Sequence, residues 1–246
     1  KNTKAIMTVA LFGLTPDMDK ISKIVSNNKL ILIEDNAQAH GAEFKGKKAG
    51  SFGTACFSFY PTKNMTTSEG GMITTNDKEI ADKARMIISH GSKIRYQHEI
   101  FGYNYRMTSV AAAIGIEQLK KLDSFNKKRI ENSNYLINSL KDTKLVLPIV
   151  KEGYKHVYHQ FTIMVEDRDQ VLKKLHEKEI GADIFYPKPI FDQPVYKNLG
   201  YSGKDLEISR EVSKKVLSLP IHPSLSKEEL DYIIKTLKEI IWKSES

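Results

Sequence analysis

The sequence of 246 residues is poor in cysteine and has no long apolar run. Its single cysteine, Cys56, excludes an internal disulfide and suits a reducing compartment, so we expect a cytoplasmic protein. An apolar run of about 18 residues, which a transmembrane helix needs, does not occur. Residues 1–7 lack the apolar stretch and cleavage site of a signal peptide, and we expect none here.

Acidic residues are fewer than basic ones. The chain has 38 Lys and Arg against 30 Asp and Glu, a formal net charge of +8, and such a balance raises the possibility of nucleic-acid binding. However, basic and acidic residues alternate in residues 227–229 and 235–239, and the basic residues 45–48 are typical of a solvated turn. A positive field also suits a ligand with a diphosphate. We expect neither a nucleic acid nor a membrane as partner.

Apolar runs and amphipathic stretches alternate in the first half of the chain. Residues 30–33 form a continuous apolar run, typical of a strand buried on both faces of a parallel sheet. Residues 56–60 and 72–75 predict further strands, and residues 79–88 predict a helix. This alternation predicts an α/β fold, in which ligands gather at the carboxyl ends of strands.

Capping signals predict where two helices begin. Thr15 as N-cap and Pro16 at the first helical position indicate one helix start. Ser226 and Glu229 have the spacing of a capping box in front of the last helix. Residues 168–178 predict a further helix between these two.

The most plausible domain boundary follows a long helix predicted over residues 108–140. The polar residues 142–144 separate residues 1–141 from residues 142–246. The first part would hold most of a large domain with the connecting helix, and the second a smaller α+β domain. A hinge inside the long helix is the alternative.

Lys63 and Asp35 stand close behind predicted strands. Lys63 follows the aromatic run of residues 57–61, and Asp35 follows the apolar run of residues 30–33. A lysine withdrawn from water has more of the neutral amine that forms a Schiff base. An aspartate at a strand end can supply the negative charge that a pyridine cofactor needs at its ring nitrogen. Either residue alone is usually solvated or structural, but together they indicate a pyridoxal phosphate enzyme.

Several motifs, taken together, resemble the sugar aminotransferases of the DegT/DnrJ/EryC1/StrS family. The resemblance covers nearly the whole sequence. The motifs are EDNAQAHGA at residues 34–42, GSFG at 50–53, FSFYPTKNMTTSEGG at 57–71, GYNYRM at 102–107, AAA at 111–113, QL at 118–119, YP at 186–187 and LPIHP at 219–223.

This resemblance implies the type I fold of pyridoxal phosphate enzymes and a role for particular residues. Lys63 would be the catalytic Schiff-base lysine, and Asp35 would keep the ring nitrogen protonated. Gln38 matches the glutamine that binds the ring hydroxyl, and Ser58 matches the serine that contacts the phosphate. Asn104 matches an asparagine that reaches the partner subunit's cofactor phosphate, so a homodimer with shared active sites is implied.

The activity implied is the transfer of an amino group, with glutamate as donor, to a nucleotide-linked keto-sugar, as in polysaccharide biosynthesis. One alternative is a sugar dehydratase of the same family. Those relatives carry histidine at the Schiff-base position, so Lys63 favours transamination. The other alternative is a non-catalytic basic binding module, against which the combination of all the cofactor residues argues.

Two histidines have a spacing found in some metal sites. His156 and His159 lie three positions apart, but structural zinc sites need about four ligands. The sequence therefore predicts no metal.

The resemblance also indicates how much of the whole protein these 246 residues represent. Residues 4–7 match a strand in the middle of the family's large domain. Members of the family carry a further N-terminal segment, about a third of the protein, with a phosphate-binding turn and an aromatic residue stacked on the cofactor. We therefore expect that these residues are part of a longer protein.

Overall fold

The structure, a computed structural model, describes residues 2–242. In this part the α-helices are α1 (Met18–Asn28), α2 (Lys78–Ile88), α3 (Ser109–Leu140), α4 (Arg168–Glu177), α5 (Pro194–Asn198), α6 (Glu207–Lys215) and α7 (Lys227–Trp242). The strands are β1 (Ala5–Val9), β2 (Ile31–Asp35), β3 (Glu43–Phe44), β4 (Lys47–Lys48), β5 (Thr54–Ser58), β6 (Gly71–Thr74), β7 (Ser92–Ile94), β8 (Gln97–His98), β9 (Tyr154–Lys155), β10 (Phe161–Met164) and β11 (Val216–Leu219).

A mixed sheet with the strand order β1-β2-β5-β6 organises the first part of the chain. Strands β1, β2 and β5 are parallel, and β6 is antiparallel to β5. The register places Val9 beside Asp35 and Asp35 beside Cys56, so the carboxyl ends of the three parallel strands meet at one edge. The predicted α/β fold is confirmed, and each predicted strand is present with its ends shifted by one or two residues.

One face of β2 carries the side chains that hold α1 against the sheet. Leu32 is buried with Met18 of α1 and Phe44 of β3, and Ile21 and Val25 of α1 pack against this cluster. These α1 positions recur at helical spacing, which makes the helix amphipathic. Because burial of one such side chain contributes about 1.5–3 kcal/mol, the cluster is sufficient to fix α1 on β2.

The predicted start of the first helix is wrong. Helix α1 begins at Met18, and its N-cap is Asp17, whose carboxylate accepts a hydrogen bond from the backbone N–H of Lys20 at 3.2 Å. Thr15, the predicted cap, is instead buried with 4% of its surface exposed. An aspartate at this position satisfies a free helical N–H and also places negative charge at the positive end of the helix dipole.

The second part of the chain has its own core around a two-stranded antiparallel sheet. Phe161 of β10 pairs with Leu219 of β11, and both side chains are buried. Helix α4 packs against α7 and β11. The inner face of α7 consists of buried aliphatic residues, namely Leu230, Ile233, Ile234, Leu237 and Ile240.

The chain divides into two compact units, of which the structure describes residues 2–242. The first comprises residues 1–127 and 150–159, and the second comprises residues 128–149 and 160–246. The change of unit therefore falls inside α3, which runs without a break. The domain boundary predicted between residues 141 and 142 stays a prediction. Residue 1 of the first predicted domain and residues 243–246 of the second lie outside the described residues.

No helix within residues 2–242 combines the length and the apolar character needed to cross a membrane.

The predicted capping box of α7 is confirmed and can be tested. The Ser226 hydroxyl accepts from the Glu229 N–H at 3.2 Å, and the Glu229 carboxylate accepts from the Ser226 N–H at 2.8 Å. We expect Ser226→Ala to lower the free energy of unfolding by about 1 kcal/mol, because the Glu229 N–H loses its partner. Urea unfolding measures the loss. The control is Ser209→Ala, an exposed serine within α6, and an equal loss in both variants would contradict the prediction.

Candidate active site

Asp35 and Lys63 come together at the carboxyl edge of the parallel strands. Asp35 ends β2, and its carboxylate accepts the backbone N–H of Ala37 at 3.0 Å. Lys63 lies in the turn after β5, where its N–H donates to the carbonyl of Tyr60 at 3.0 Å. Burial lowers the pKa of Lys63, and the negative charge of Asp35 opposes this shift. The two side chains therefore interact electrostatically, although 28 residues separate them in the sequence.

Gln38 and Ser58 lie at the same edge of the sheet. Gln38 is in the turn after β2, and its side-chain oxygen accepts the backbone N–H of Phe12 at 2.6 Å. Ser58 is the last residue of β5, and its hydroxyl accepts the backbone N–H of Tyr60 at 3.3 Å. The structure thus brings Gln38 and Ser58 to the sheet edge from which Asp35 and the chain leading to Lys63 leave. Their roles toward a cofactor stay predictions.

Asn104 lies on the segment between β8 and α3. It forms an isolated antiparallel bridge with Ser89, and its side-chain oxygen accepts from the guanidinium of Arg106 at 3.3 Å. The residue is exposed on the first compact unit. A residue that acts on a neighbouring subunit must be exposed, as Asn104 is. Its role toward the cofactor phosphate of the partner subunit stays a prediction.

Sequence reasoning did not assign a role to Glu34, which organises the loop in front of β5. Only 2% of Glu34 is exposed. Its carboxylate accepts the backbone N–H groups of Gly50, Phe52 and Gly53 at 2.8, 2.9 and 2.7 Å. Residues two apart in a strand share a face, so the Glu34 carboxylate lies on the same face as the apolar Leu32. A carboxylate on an apolar strand face was the sequence signal that could have indicated a buried, hydrogen-bonded Glu34.

Two buried asparagines were also missed. The side-chain amide of Asn64, the residue after Lys63, donates to the side-chain oxygen of Asn126 at 2.8 Å and to the carbonyl of Val157 at 3.0 Å. The amide of Asn126 in turn donates to the carbonyl of His40 at 2.8 Å. We call Asn64 and Asn126 the amide pair. No sequence signal predicts it, since the partners come from distant segments.

His40 is a neutral side chain beside Lys63. Its ring lies 5.5 Å from the ring of Phe57 and 5.9 Å from that of Phe59, measured between centroids. Burial, and to a smaller extent the nearby charge of Lys63, lowers the pKa of His40 to about 4. At neutral pH, His40 therefore adds no positive charge to the surroundings of Lys63.

An apolar cavity of about 460 Å³ adjoins the turn that carries Lys63. Phe59 and Met65, which flank this turn, line the cavity and pack with Leu122 of α3. The chain on either side of Lys63 is thus anchored by apolar contacts within the first unit.

The histidines with metal-like spacing have structural contacts. The ring of His156 stacks on the ring of Tyr158, with 3.9 Å between the centroids. The Nδ1 of His156 accepts a hydrogen bond from the backbone N–H of Tyr158 at 3.0 Å. Burial lowers the pKa of His156 to about 4. Between residues 2 and 242, no group of three or more His, Cys, Asp or Glu residues is arranged to hold a metal ion.

The strand-end residues match the chemical groups of pyridoxal phosphate. The carboxylate of Asp35 suits a protonated pyridine nitrogen. Lys63 has a lowered pKa and supplies an amine for an aldehyde. The Ser58 hydroxyl and the Gln38 amide suit the phosphate and the ring hydroxyl as hydrogen-bond partners. The donor set therefore fits this cofactor.

Comparison with known proteins decides the family. The sequence model of the DegT/DnrJ/EryC1/StrS aminotransferase family matches residues 1–238. The chain belongs to this family. Its predicted cofactor, pyridoxal phosphate, and its predicted fold are thereby confirmed.

Two curated relatives show the range of names in the family. The chain is 39% identical over 244 residues to a pleiotropic regulatory protein of Geobacillus stearothermophilus, covering 97% of this chain and 66% of the relative. It is 36% identical over 241 residues to the UDP-N-acetyl-3-dehydro-alpha-D-glucosamine 3-aminotransferase of Acidithiobacillus ferrooxidans, covering 97% and 65%. The chain thus spans about two thirds of the length of these relatives.

Solved structures show the same fold. DesV of S. venezuelae, solved in complex with a ketimine intermediate, superposes with a TM-score of 0.92 at 33% identity, covering 96% of this chain and 65% of that one. The PLP-form of a sugar aminotransferase from Streptococcus pneumoniae gives a TM-score of 0.92 at 26% identity, covering 98% and 69%.

The two buried histidines predict how stability depends on pH. The folded pKa values of His40 and His156, both about 4, lie below the ordinary value of 6.5. As the pH falls from about 6.5 to about 4, the unfolded chain binds protons that the folded chain does not. The free energy of unfolding should therefore fall through this window, by up to about 1.4 kcal/mol per pH unit for each histidine.

Urea unfolding at a series of pH values measures this dependence. We expect His40→Gln to have a shallower loss of stability below pH 6.5 than the unsubstituted protein, because one linked proton is removed. The control is Gln97→Asn, at an exposed residue without a titratable group, which should leave the slope unchanged. An unchanged slope in His40→Gln would show that His40 titrates normally in the folded protein.

Proposed function

We propose that the protein containing this chain is a pyridoxal phosphate-dependent aminotransferase that acts on a nucleotide-linked keto-sugar, with glutamate as amino donor. The observation that carries the proposal is a partly buried Lys63 amine within electrostatic range of the Asp35 carboxylate at one sheet edge. A lysine of lowered pKa beside a strand-end carboxylate is the arrangement that amino-group transfer through a pyridine cofactor needs.

The substrate class is supported by the relative from Acidithiobacillus ferrooxidans. Its name describes amination at carbon 3 of a UDP-linked 3-dehydro sugar. A net charge of +8 agrees with a substrate that carries a diphosphate. The proposal therefore specifies a keto group on a nucleotide-linked sugar as the acceptor.

Each strand-end residue has a defined task in this proposal. When bound, pyridoxal phosphate supplies an aldehyde and a ring that accepts electrons from the substrate carbon. The Nζ of Lys63, as the free amine, would be the nucleophile toward the aldehyde and would take up and return a proton at the substrate carbon. The negative charge of Asp35 would hold a proton on the ring nitrogen, and the Ser58 hydroxyl would donate to the phosphate.

The environment of Lys63 lowers its pKa, which suits proton transfer. Partial burial favours its neutral form, and the charge of Asp35 restores part of the cationic form. An amine whose pKa lies closer to the working pH both accepts and returns protons efficiently. The lysine at position 63 also favours transamination over the dehydratase alternative, which the resemblance associates with histidine.

We further propose that the active unit is a homodimer with shared sites. Asn104 is exposed, and its position matches the residue expected to reach the partner's cofactor phosphate. A phosphate carries nearly two negative charges and needs several hydrogen-bond donors when it loses water. Ser58 supplies one, and a partner's Asn104 would supply another. The lone Cys56 suits a reducing compartment, so we place the protein in the cytoplasm.

The first test locates the cofactor. Borohydride reduction of the whole protein loaded with pyridoxal phosphate, followed by peptide mapping, should place the pyridoxyl group on Lys63. Lys63→Ala should lose the adduct and essentially all turnover, since the nucleophile and proton carrier are the same amine. The exposed Lys47 provides the control Lys47→Ala, which should keep both. An adduct on a different lysine contradicts the assignment.

The second test mixes two variants, each of which lacks one residue of the proposed shared site. If each site uses Lys63 from one subunit and Asn104 from the other, heterodimers of Lys63→Ala with Asn104→Ala contain one intact site and one doubly impaired site. Activity should therefore return to about half of that of the unsubstituted dimer, given independent sites. Amino-group transfer to a keto-sugar nucleotide is the measurement.

The control for the mixing experiment is a heterodimer of Lys63→Ala with Asp35→Asn. Both of these residues belong to the same strand-end cluster, so every site in this heterodimer lacks one of them. No activity should return in this control. Absence of recovery in verified Lys63→Ala and Asn104→Ala heterodimers would reject the cross-subunit role of Asn104.

A further inference from the structure

The amide pair is placed between the two turns that carry the cofactor residues. Asn64 directly follows Lys63, and its side chain is 5% exposed. Its Nδ2 donates to the Oδ1 of Asn126 and to the carbonyl of Val157, at 2.8 and 3.0 Å. The backbone after Lys63 is therefore tied both to α3 and to the segment near β9.

Asn126 extends this link to the turn after β2. The residue lies on α3, is 1% exposed, and donates from its Nδ2 to the carbonyl of His40 at 2.8 Å. His40 is two residues beyond Gln38, in the same turn that follows Asp35. A Cβ on Gly41 would come within 2.8 Å of the Asn126 Nδ2, so glycine permits this close approach. The amide pair thus joins the Lys63 turn to the Asp35 and Gln38 turn.

The hydrogen bonds of the amide pair have only one possible direction. The Nδ2 of Asn64 faces two acceptors, the Asn126 Oδ1 and the Val157 carbonyl. The Nδ2 of Asn126 faces the His40 carbonyl. Turning either amide over would place oxygen against oxygen, which leaves buried groups unpaired. A buried polar link of this kind specifies one arrangement of the segments that it joins.

We propose that Asn64 and Asn126 are positioning residues, which hold the turn of Lys63 at a set distance from Asp35 and a set depth below the surface. The effect on catalysis rests on the proposed function. The geometry does not, because it concerns only the hydrogen bonds of this chain. Neither asparagine touches the strand-end carboxylate or amine through the hydrogen bonds described.

The need for such a link follows from where Lys63 lies. Strand β5 ends at Ser58, so β-sheet hydrogen bonds do not hold residue 63. Apolar contacts of Phe59 and Met65 anchor the neighbouring chain, but they are non-directional. A misplacement of about 1 Å can reduce the rate of a well-oriented reaction by about a hundredfold. The Lys63 N–H bonds within its own turn, to the Tyr60 carbonyl, whereas the directional bonds of Asn64 tie the turn to α3 and to the segment near β9.

The position of Lys63 also affects its charge state. Burial lowers the pKa of Lys63, Asp35 raises it, and the neighbouring His40 is neutral at pH 7 because of its own burial. A shift of the turn toward solvent would reduce the burial contribution. The protonation of Lys63 in the absence of cofactor therefore reports on the geometry that the amide pair maintains.

The variants that test the proposal are Asn64→Leu and Asn126→Leu. Leucine is close to asparagine in size and neutral, so it removes the hydrogen bonds without adding a charge near Lys63. The matched control is Asn132→Leu. Asn132 is also buried, at 2% exposure, and donates to the carbonyl of His222 at 3.3 Å within the second unit. Thermal melting identifies samples that remain folded.

The main measurement is the rate of acetylation of Lys63 against pH, followed by mass spectrometry of the whole protein without cofactor. In the unsubstituted protein, Lys63 should titrate below the ordinary pKa of a lysine side chain. In Asn64→Leu and Asn126→Leu, its pKa should rise toward that ordinary value, while Asn132→Leu should leave it in place. If one asparagine variant does not fold, the other decides the outcome.

A second measurement uses the protein loaded with pyridoxal phosphate. The rate of the half-reaction with glutamate should fall by about tenfold or more in Asn64→Leu, with a smaller change in cofactor affinity. Unchanged Lys63 titration in both folded variants would overturn the positioning role. Absence of any pyridoxyl adduct in the unsubstituted protein would instead reject the proposed function, and the acetylation profile would still decide the role of the amide pair.

Discussion

Parallel pairing of β2 with β5 determines where the Asp35 carboxylate and the chain leading to Lys63 can meet. The register sets Asp35 beside Cys56, so the carboxylate and the chain that leads to Lys63 leave the sheet at the same edge. Side chains at the carboxyl ends of parallel strands converge on one side of a sheet. The electrostatic interaction between Asp35 and Lys63 is a consequence of this pairing, as is the position of Gln38 in the turn that follows.

Buried polar side chains then convert this approximate placement into a defined one. Glu34 binds three backbone N–H groups of the loop before β5, which fixes how the chain enters that strand. The amide pair does the same for the chain that leaves it. Because a buried donor or acceptor without a partner costs about 1–3 kcal/mol, alternative loop positions that break these bonds are disfavoured. Apolar packing alone would tolerate them.

Much of the fold was predictable because it depends on local patterns. The apolar run before Asp35, the helix over residues 79–88 and the capping box of Ser226 all depend on spacing within a few residues. Local patterns also explain the error at the first helix. Thr15 and Pro16 have the residue types of a helix start, but in the fold Thr15 is buried and Asp17 caps the helix. The residue types alone did not show which side chain would be free to cap it.

The sequence by itself determined the family, the cofactor and the identity of the strand-end residues, since those depend on which residue types occur in which order. Only the tertiary structure decided which polar groups meet. Asn64 and Asn126 are 62 positions apart, and their bond depends on how α3 packs behind the Lys63 turn. A side chain's depth below the surface is likewise a property of the packed chain. For this reason the lowered pKa values of Lys63 and His40 follow from burial and not from local sequence.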